Sequence, residues 1–98
     1  KAKRGEAQKI LMNWANLQEI WRANNPTYDD GTNISVPTHD DYTFTVTGTS
    51  SSTFVLTADP DSDQEKDKDR GQLCDPLTLN QSGTKGPVYS GETYCWGN

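Results

Sequence analysis

In a chain that is only 31% apolar, one run carries most of the folding information. Over "KAKRGEAQKILMNWANLQEIWRANNP" the apolar residues Ala7, Ile10, Leu11, Trp14, Leu17 and Trp21 recur at steps of three and four, with Ile20 beside them. That spacing lays one apolar stripe along a helix. Lys9, Asn13, Asn16, Glu19, Arg22 and Ala23 fall largely on the other side. Two asparagines and Pro26 predict the stop at about residue 25. A helix with such a face needs a partner layer, and the rest of the sequence has to supply it.

The start of this helix is unusual. Lys1, Lys3 and Arg4 oppose the helix dipole, and no Ser, Thr, Asp or Asn precedes the pattern as a cap. The charges are unremarkable in a helix that begins upstream, so the sequence reads as entering in mid-helix.

The partner layer is legible further on. "YTFTVTG" puts Tyr42, Phe44 and Val46 on one face and threonines on the other. After the polar turn "GTSSS", "TFVLTA" places Phe54, Leu56 and Ala58 inward, and the two runs read as an antiparallel hairpin. "PLTLNQ" repeats the alternation with Leu77 and Leu79, and Gly83 and Gly86 of "SGTKG" suit a turn. Twelve threonines fit the solvated face of such strands. The expected fold is α+β: an N-terminal amphipathic helix (1–25), a connection (26–41), and a three- to four-stranded antiparallel sheet (42–81). Its expected core is Ile10, Leu11, Trp14, Leu17, Trp21, Phe44, Val46, Phe54, Leu56, Leu77 and Leu79. The length allows one domain, 1–98.

Nine basic against fourteen acidic residues give a net charge of −5. That argues against a binder of nucleic acid or anionic membrane, which needs a cationic face. No apolar run approaches the ~18 residues of a membrane-spanning helix.

Twenty residues separate Cys74 from Cys95. A disulfide fits better than zinc, which needs four ligands where only His39 could add a nitrogen. Closing that loop would stabilise a small, polar domain by about 3 kcal/mol on the chain-entropy model, and it implies an oxidising compartment.

Taken in order, these pieces resemble the globular part of a type IV pilin, most similar to the PilE-type minor pilins of Gram-negative bacteria. The match rests on the helix opening "KAKRGEAQ", the exit "NNPTY", the strands "YTFTVTG" and "TFVLTADP", a cysteine followed by "LTLNQSGTKG", and the closing "CW". The resemblance implies a long helix on an antiparallel sheet, an αβ-loop at 26–41, and a disulfide-bounded D-region at 74–95 closed by Cys74 and Cys95. Both of these regions would contact neighbouring subunits. It further implies a non-enzymatic structural subunit, a minor pilin that takes part in pilus assembly or priming and hence in adhesion, twitching motility or DNA uptake. Its partners would be other pilin subunits and the assembly machinery, with no nucleic acid expected on this domain and no cofactor. Such a subunit resides in the inner membrane and periplasm before assembly and on the cell surface after it, held in the membrane only by a hydrophobic half-helix upstream of Lys1. The segment itself is expected to be soluble. Asp75-Pro76 stands where relatives often have Gly, and the stretch "DSDQEKDKDRGQ" is longer and more charged than the family pattern.

Other constellations carry less. Asp59, Asp61 and Asp63 alternate like calcium ligands, but Gln64 stands where an EF-hand turn needs Gly and Arg70 where it needs a bidentate Glu. Lys66, Lys68 and Arg70 neutralise the acids locally, so the expectation is a solvated loop of mixed charge and no metal. His39 with Asp40 and Asp41 lacks the oriented nucleophile a catalytic site requires. The sequons at Asn33 and Asn80 are unsurprising in a Ser/Thr-rich chain. Two other classes remain open at this level. A type II secretion pseudopilin more often carries a calcium loop than a disulfide. A secreted or periplasmic calcium-dependent binding module would begin its helix near Lys1.

Overall fold

The computed structural model describes residues 2–61, 68–69, 72–87 and 94–96. Helix α1 (Ala2–Arg22) is followed by β1 (Thr38–His39), β2 (Tyr42–Thr47), β3 (Val55–Pro60), β4 (Lys68–Asp69), β5 (Gln72–Leu73), β6 (Leu77–Asn80), β7 (Lys85–Gly86) and a 3-10 turn (Tyr94–Trp96). The main sheet has the order β1-β2-β3-β6-β7, antiparallel throughout, and β4 and β5 pair separately. It is thus an α-helix packed on an antiparallel sheet, with a disulfide toward the C-terminus.

Five strands are present in that sheet where periodicity predicts three or four. The additions are the two-residue edge strands β1 and β7, too short to show an alternation. Gly86, expected in a turn, is a strand residue. It lies opposite Thr78, whose hydroxyl a Cβ at this position would overlap. Gly83 does take the left-handed turn conformation, at φ +78°.

The threonine-rich strands alternate in burial because successive side chains point to opposite faces. Along β2, Tyr42 and Phe44 are buried and Thr43, Thr45 and Thr47 exposed. Along β3, Leu56, Ala58 and Pro60 are buried. Register places Phe44 opposite Ala58, and Leu56 between Val46 on one side and Leu79 on the other. Phe54, Leu77 and Leu79 complete the sheet's share of the core, with Val46 at its margin.

The helix contributes a row of Arg4, Ala7, Leu11, Trp14 and Gln18, all buried. Trp14 meets Phe44 edge to face at 6.4 Å. Leu11 removes a full apolar side chain from water, a contribution of about 1.5–3 kcal/mol. Trp14 buries its ring as well, but its Nε1 is buried without a hydrogen-bond partner among the described residues, which offsets part of that gain. Ile10 packs at the edge of this cluster.

Two of the expected core positions come out differently. Leu17 is 39% exposed, and Trp21 is half-buried and absent from the side chains packed on the core. The inward place on that turn belongs to Gln18. The inward row steps 4, 7, 11, 14, 18, so it passes one residue beyond Leu17 and leaves Met12, Leu17 and Ile20 facing outward.

The helix ends slightly before residue 25. Its last carbonyls are taken by the N–H groups of Ala23 and Asn24 and by the Asn25 side chain, which donates to Trp21 O at 2.8 Å. Arg22 favours this end of the helix dipole. It donates to the carbonyls of Asn25 (2.9 Å) and Ser51 (2.7 Å), tying the β2–β3 turn to the helix.

Candidate functional site

Three surfaces stand out, and each is held by α1. The first is the disulfide end. Cys74 and Cys95 are bonded, both almost fully buried, with Cα atoms 5.7 Å apart. The helix reaches them with two polar side chains. Arg4 Nη1 donates to Cys74 Sγ at 3.0 Å, and the Gln8 amide donates to the Cys95 carbonyl. Trp96 donates from Nε1 to Gly86 O at 2.7 Å, and Lys85 Nζ lies 5.7 Å from the centre of its ring. Trp96 thereby clamps the 3-10 turn onto edge strand β7.

The second surface is the αβ-loop. The Gln18 amide pairs with the peptide of Asp29 in both directions: Nε2 donates to Asp29 O (2.7 Å), and Asp29 N–H donates to Oε1 (2.8 Å). Both groups are buried, so each removes the other's desolvation cost. The Asp29 carboxylate then gathers the loop around itself. Oδ2 accepts N–H bonds from Gly31 (3.1 Å) and Ile34 (2.8 Å), and Oδ1 accepts from the N–H (3.0 Å) and side-chain amide (2.8 Å) of Asn33. Burial, the largest single influence, pushes this carboxyl upward. The bonds from Ile34, Asn33 and Gly31 together outweigh it and hold Asp29 below its ordinary value. Gly31 turns the loop at φ +101°, against the methyl groups of Val36 and Val46.

Tyr28 packs edge to face on Phe54 at 4.7 Å and donates its hydroxyl to the Glu19 carboxylate. Burial and then that carboxylate push its phenol upward. Between the end of α1 and this loop opens a cleft of about 240 Å³ lined by polar side chains together with Trp21 and Tyr28. A second hollow, about 370 Å³, lies along β1 and β2 beside Val36, Pro37 and Phe44.

The third surface is the outer face of α1. Met12 (49%), Leu17 (39%) and Ile20 (58%) remain exposed on a helix whose other side is fully engaged. Large apolar side chains grouped on one element mark an interaction face more often than scattered ones do.

The remaining sequence candidates are dispersed. His39 joins no catalytic constellation: its Nε2 bonds the exposed Glu6 carboxylate at 2.7 Å, and its Nδ1 accepts the Asp41 N–H at 3.0 Å. Asp40 is exposed. Asp59 is exposed on β3, and Asp61 follows it, accepting from the Thr43 hydroxyl at 3.3 Å. Asp63 lies outside the described residues, as does most of the charged stretch. Among the described residues no group of three His, Cys, Asp or Glu side chains is placed to hold a metal, and no helix is long and apolar enough to cross a membrane.

Of the residues that pin these surfaces, Gln18, Asp29 and Gln8 were not singled out by the sequence, and Arg4 stood out only as a charge opposing the helix dipole. The usable signal was the periodic placing of Arg4 and Gln18 on the row of Ala7, Leu11 and Trp14.

Comparison with known proteins points one way. Residues 1–78 match the family model described as "Type IV minor pilin ComP, DNA uptake sequence receptor". Among solved structures, a type IV pilin from Shewanella oneidensis is similar at 26% identity, with a TM-score of 0.73, over 94% of this chain and 96% of that one. No curated protein matches.

Proposed function

Because the chain belongs to the ComP-like type IV pilins, a family of structural and non-catalytic subunits, we propose that it is a minor pilin that takes part in priming or assembling a type IV pilus. The observation that carries this reading is the outer face of α1. A helix that buries one row on its own sheet and still exposes Met12, Leu17 and Ile20 is equipped to pack against a second subunit. The αβ-loop and the disulfide-closed segment flank that helix and supply lateral contacts to other pilins and to the assembly machinery. Residence is the inner membrane before assembly and the pilus afterwards.

The test is genetic and biochemical together. In a strain lacking the native gene, the full-length protein should restore pili and appear in the sheared-pilus fraction. The pair Leu17→Asp and Ile20→Asp should leave the protein folded, because both sites are exposed, yet remove it from that fraction. Unchanged incorporation of the double variant would refute the helix-face reading.

The family description favours a second reading, reception of DNA uptake sequences, since the match spans 1–78. The charge balance opposes it. The chain is net −5, Arg22 is engaged by two carbonyls, and Lys85 lies over Trp96. Gel retardation with short duplex DNA decides between them. Retention that falls steeply with salt would establish phosphate contact and would overturn the expectation of no nucleic acid on this domain. Free migration at low salt would dismiss DNA reception.

A further inference from the structure

The cleft between the end of α1 and the αβ-loop has a specific chemistry. Trp21 lies beside it, half-buried and not packed on the core. A large aromatic ring that the core does not use, placed in a polar hollow, is an unusual expense of apolar surface in so hydrophilic a chain.

The polar atoms around it are arranged with capacity to spare. Asn25 uses its Nδ2 on Trp21 O and keeps Oδ1 open. Asn33 uses its Nδ2 on Asp29 and Thr32 and keeps Oδ1 open. Asp30 engages Oδ1 with the N–H and hydroxyl of Thr32 and leaves Oδ2 available. Trp21 lines the same small space as these acceptors, and among the described residues its Nε1 makes no hydrogen bond. The buried Asp29 knot holds Asn33 in place before any ligand arrives, which lowers the ordering cost of binding.

The same lining excludes other ligands. Asp29 and Asp30 line the cleft, and the nearest described cation, Arg22, is turned to the carbonyls of Asn25 and Ser51, so the lining itself disfavours a phosphate or carboxylate. A calcium ion takes six to eight oxygens. Here the Asp29 oxygens are already occupied by N–H donors, which leaves three open side-chain oxygens, those of Asn25, Asp30 and Asn33, against that number. The volume, about 240 Å³, falls under the ~300 Å³ at which drug-sized pockets begin. A single sugar ring has that scale, an apolar face for an indole and hydroxyls for scattered amide and carboxylate oxygens.

We propose that this cleft is a carbohydrate subsite for one neutral pyranose, stacked on Trp21 and hydrogen-bonded by Asn25, Asp30 and Asn33. The inference stands apart from the assembly role and is tested on the isolated chain, so failure to enter pili does not bear on it.

The experiment is an NMR titration of the chain with the methyl glycosides of glucose, galactose and N-acetylgalactosamine. At least one should give saturable shifts confined to residues 21, 25–33 and 49, with a Kd on the order of 1 mM. Asp30→Asn, which keeps the Thr32 turn and replaces an acceptor by a donor, should weaken binding about tenfold, a difference of about 1.4 kcal/mol. Trp21→Ala should abolish it. Asp30 is exposed, so its variant keeps the test decisive should Trp21→Ala fold poorly. Calcium chloride, inorganic phosphate and duplex DNA are run as probes of the excluded classes. The proposal is overturned by an absence of saturable shifts with all three glycosides, by shifts that survive Asp30→Asn unchanged, or by a stronger response at these residues to calcium, phosphate or DNA.

Discussion

The αβ-loop and the disulfide-closed segment are both attached to α1, and they are held by matching devices of opposite chemistry. Each is gripped by one glutamine and one arginine of α1. Gln8 and Arg4 reach the C-terminal segment at Cys95 O and Cys74 Sγ. Gln18 reaches the loop at Asp29, and Arg22 reaches Asn25 and Ser51 beside it. Beyond the helix the two differ. One segment is closed by a covalent bond, the other by a buried carboxylate that collects N–H groups. The first is indifferent to pH and vulnerable to reductant, and the second has the reverse sensitivities. One helix can therefore carry two interaction surfaces whose stabilities are set independently.

The largest effect should come from the covalent side. Replacing Cys74 and Cys95 together by Ser releases a loop with a sequence separation of 21 and should cost about 3 kcal/mol in urea unfolding at neutral pH. Hydrogen exchange should rise in β6 and β7 (77–86) far more than at 29–34. Equal loosening of both segments would break the comparison, showing that the αβ-loop borrows its order from the disulfide.

The next effect belongs to Asp29. Asp29→Ala leaves the N–H groups of Gly31, Asn33 and Ile34 without their acceptor in a partly buried setting, a loss of roughly 1–2 kcal/mol. The pH dependence has a definite sign. Asp29 is held below its ordinary value when folded, so its contribution is fully present above the unfolded-state value of about 3.9. It is lost as the pH falls from there through the lower folded value, because the unfolded chain binds the proton first. Unfolding curves between pH 7 and 2.5 should show wild-type protein losing more stability toward acid than Asp29→Ala does. The alanine variant should also leave the disulfide's response to reductant unaltered. Identical acid limbs for the two proteins would refute the role assigned to the carboxylate.

How much of this was legible beforehand follows the same division. The helix and the alternating strands announce themselves by period, because Leu11, Trp14, Phe44 and Leu56 must each leave water. The disulfide followed from having two cysteines and a small core. The loop's organisation did not show, since Asp29 is one of several acids in a polar stretch, and nothing local says that four donor groups will converge on it. The displacement of Leu17 has the same origin. A glutamine is welcome inside the helix face only because a peptide group of the loop waits there with one donor and one acceptor. Periodicity alone could not choose between Leu17 and Gln18, as the choice is made by a residue eleven positions later. The edge strands β1 and β7 escaped for want of length.

The smallest effect sharpens the comparison at the far end of the loop. His39 on β1 bonds Glu6 on the first half of α1 at 2.7 Å, so the αβ-loop touches the helix at both ends. The two attachments are unequal by physical argument. Gln18 and Asp29 are buried, and breaking them uncovers unsatisfied groups in a dry setting. The Glu6 side chain is 59% exposed, so water replaces the bond when it breaks. The imidazole needs no charge to make it: Nδ1 already accepts the Asp41 N–H, which leaves the proton on Nε2 for Glu6. Glu6→Gln retains an acceptor at that position and should cost less than about 0.5 kcal/mol in urea unfolding. Hydrogen exchange at 29–34 should not change. A loss near that of Asp29→Ala would mean that the loop is tensioned between two anchors, and the carboxylate knot would then be half of a clamp.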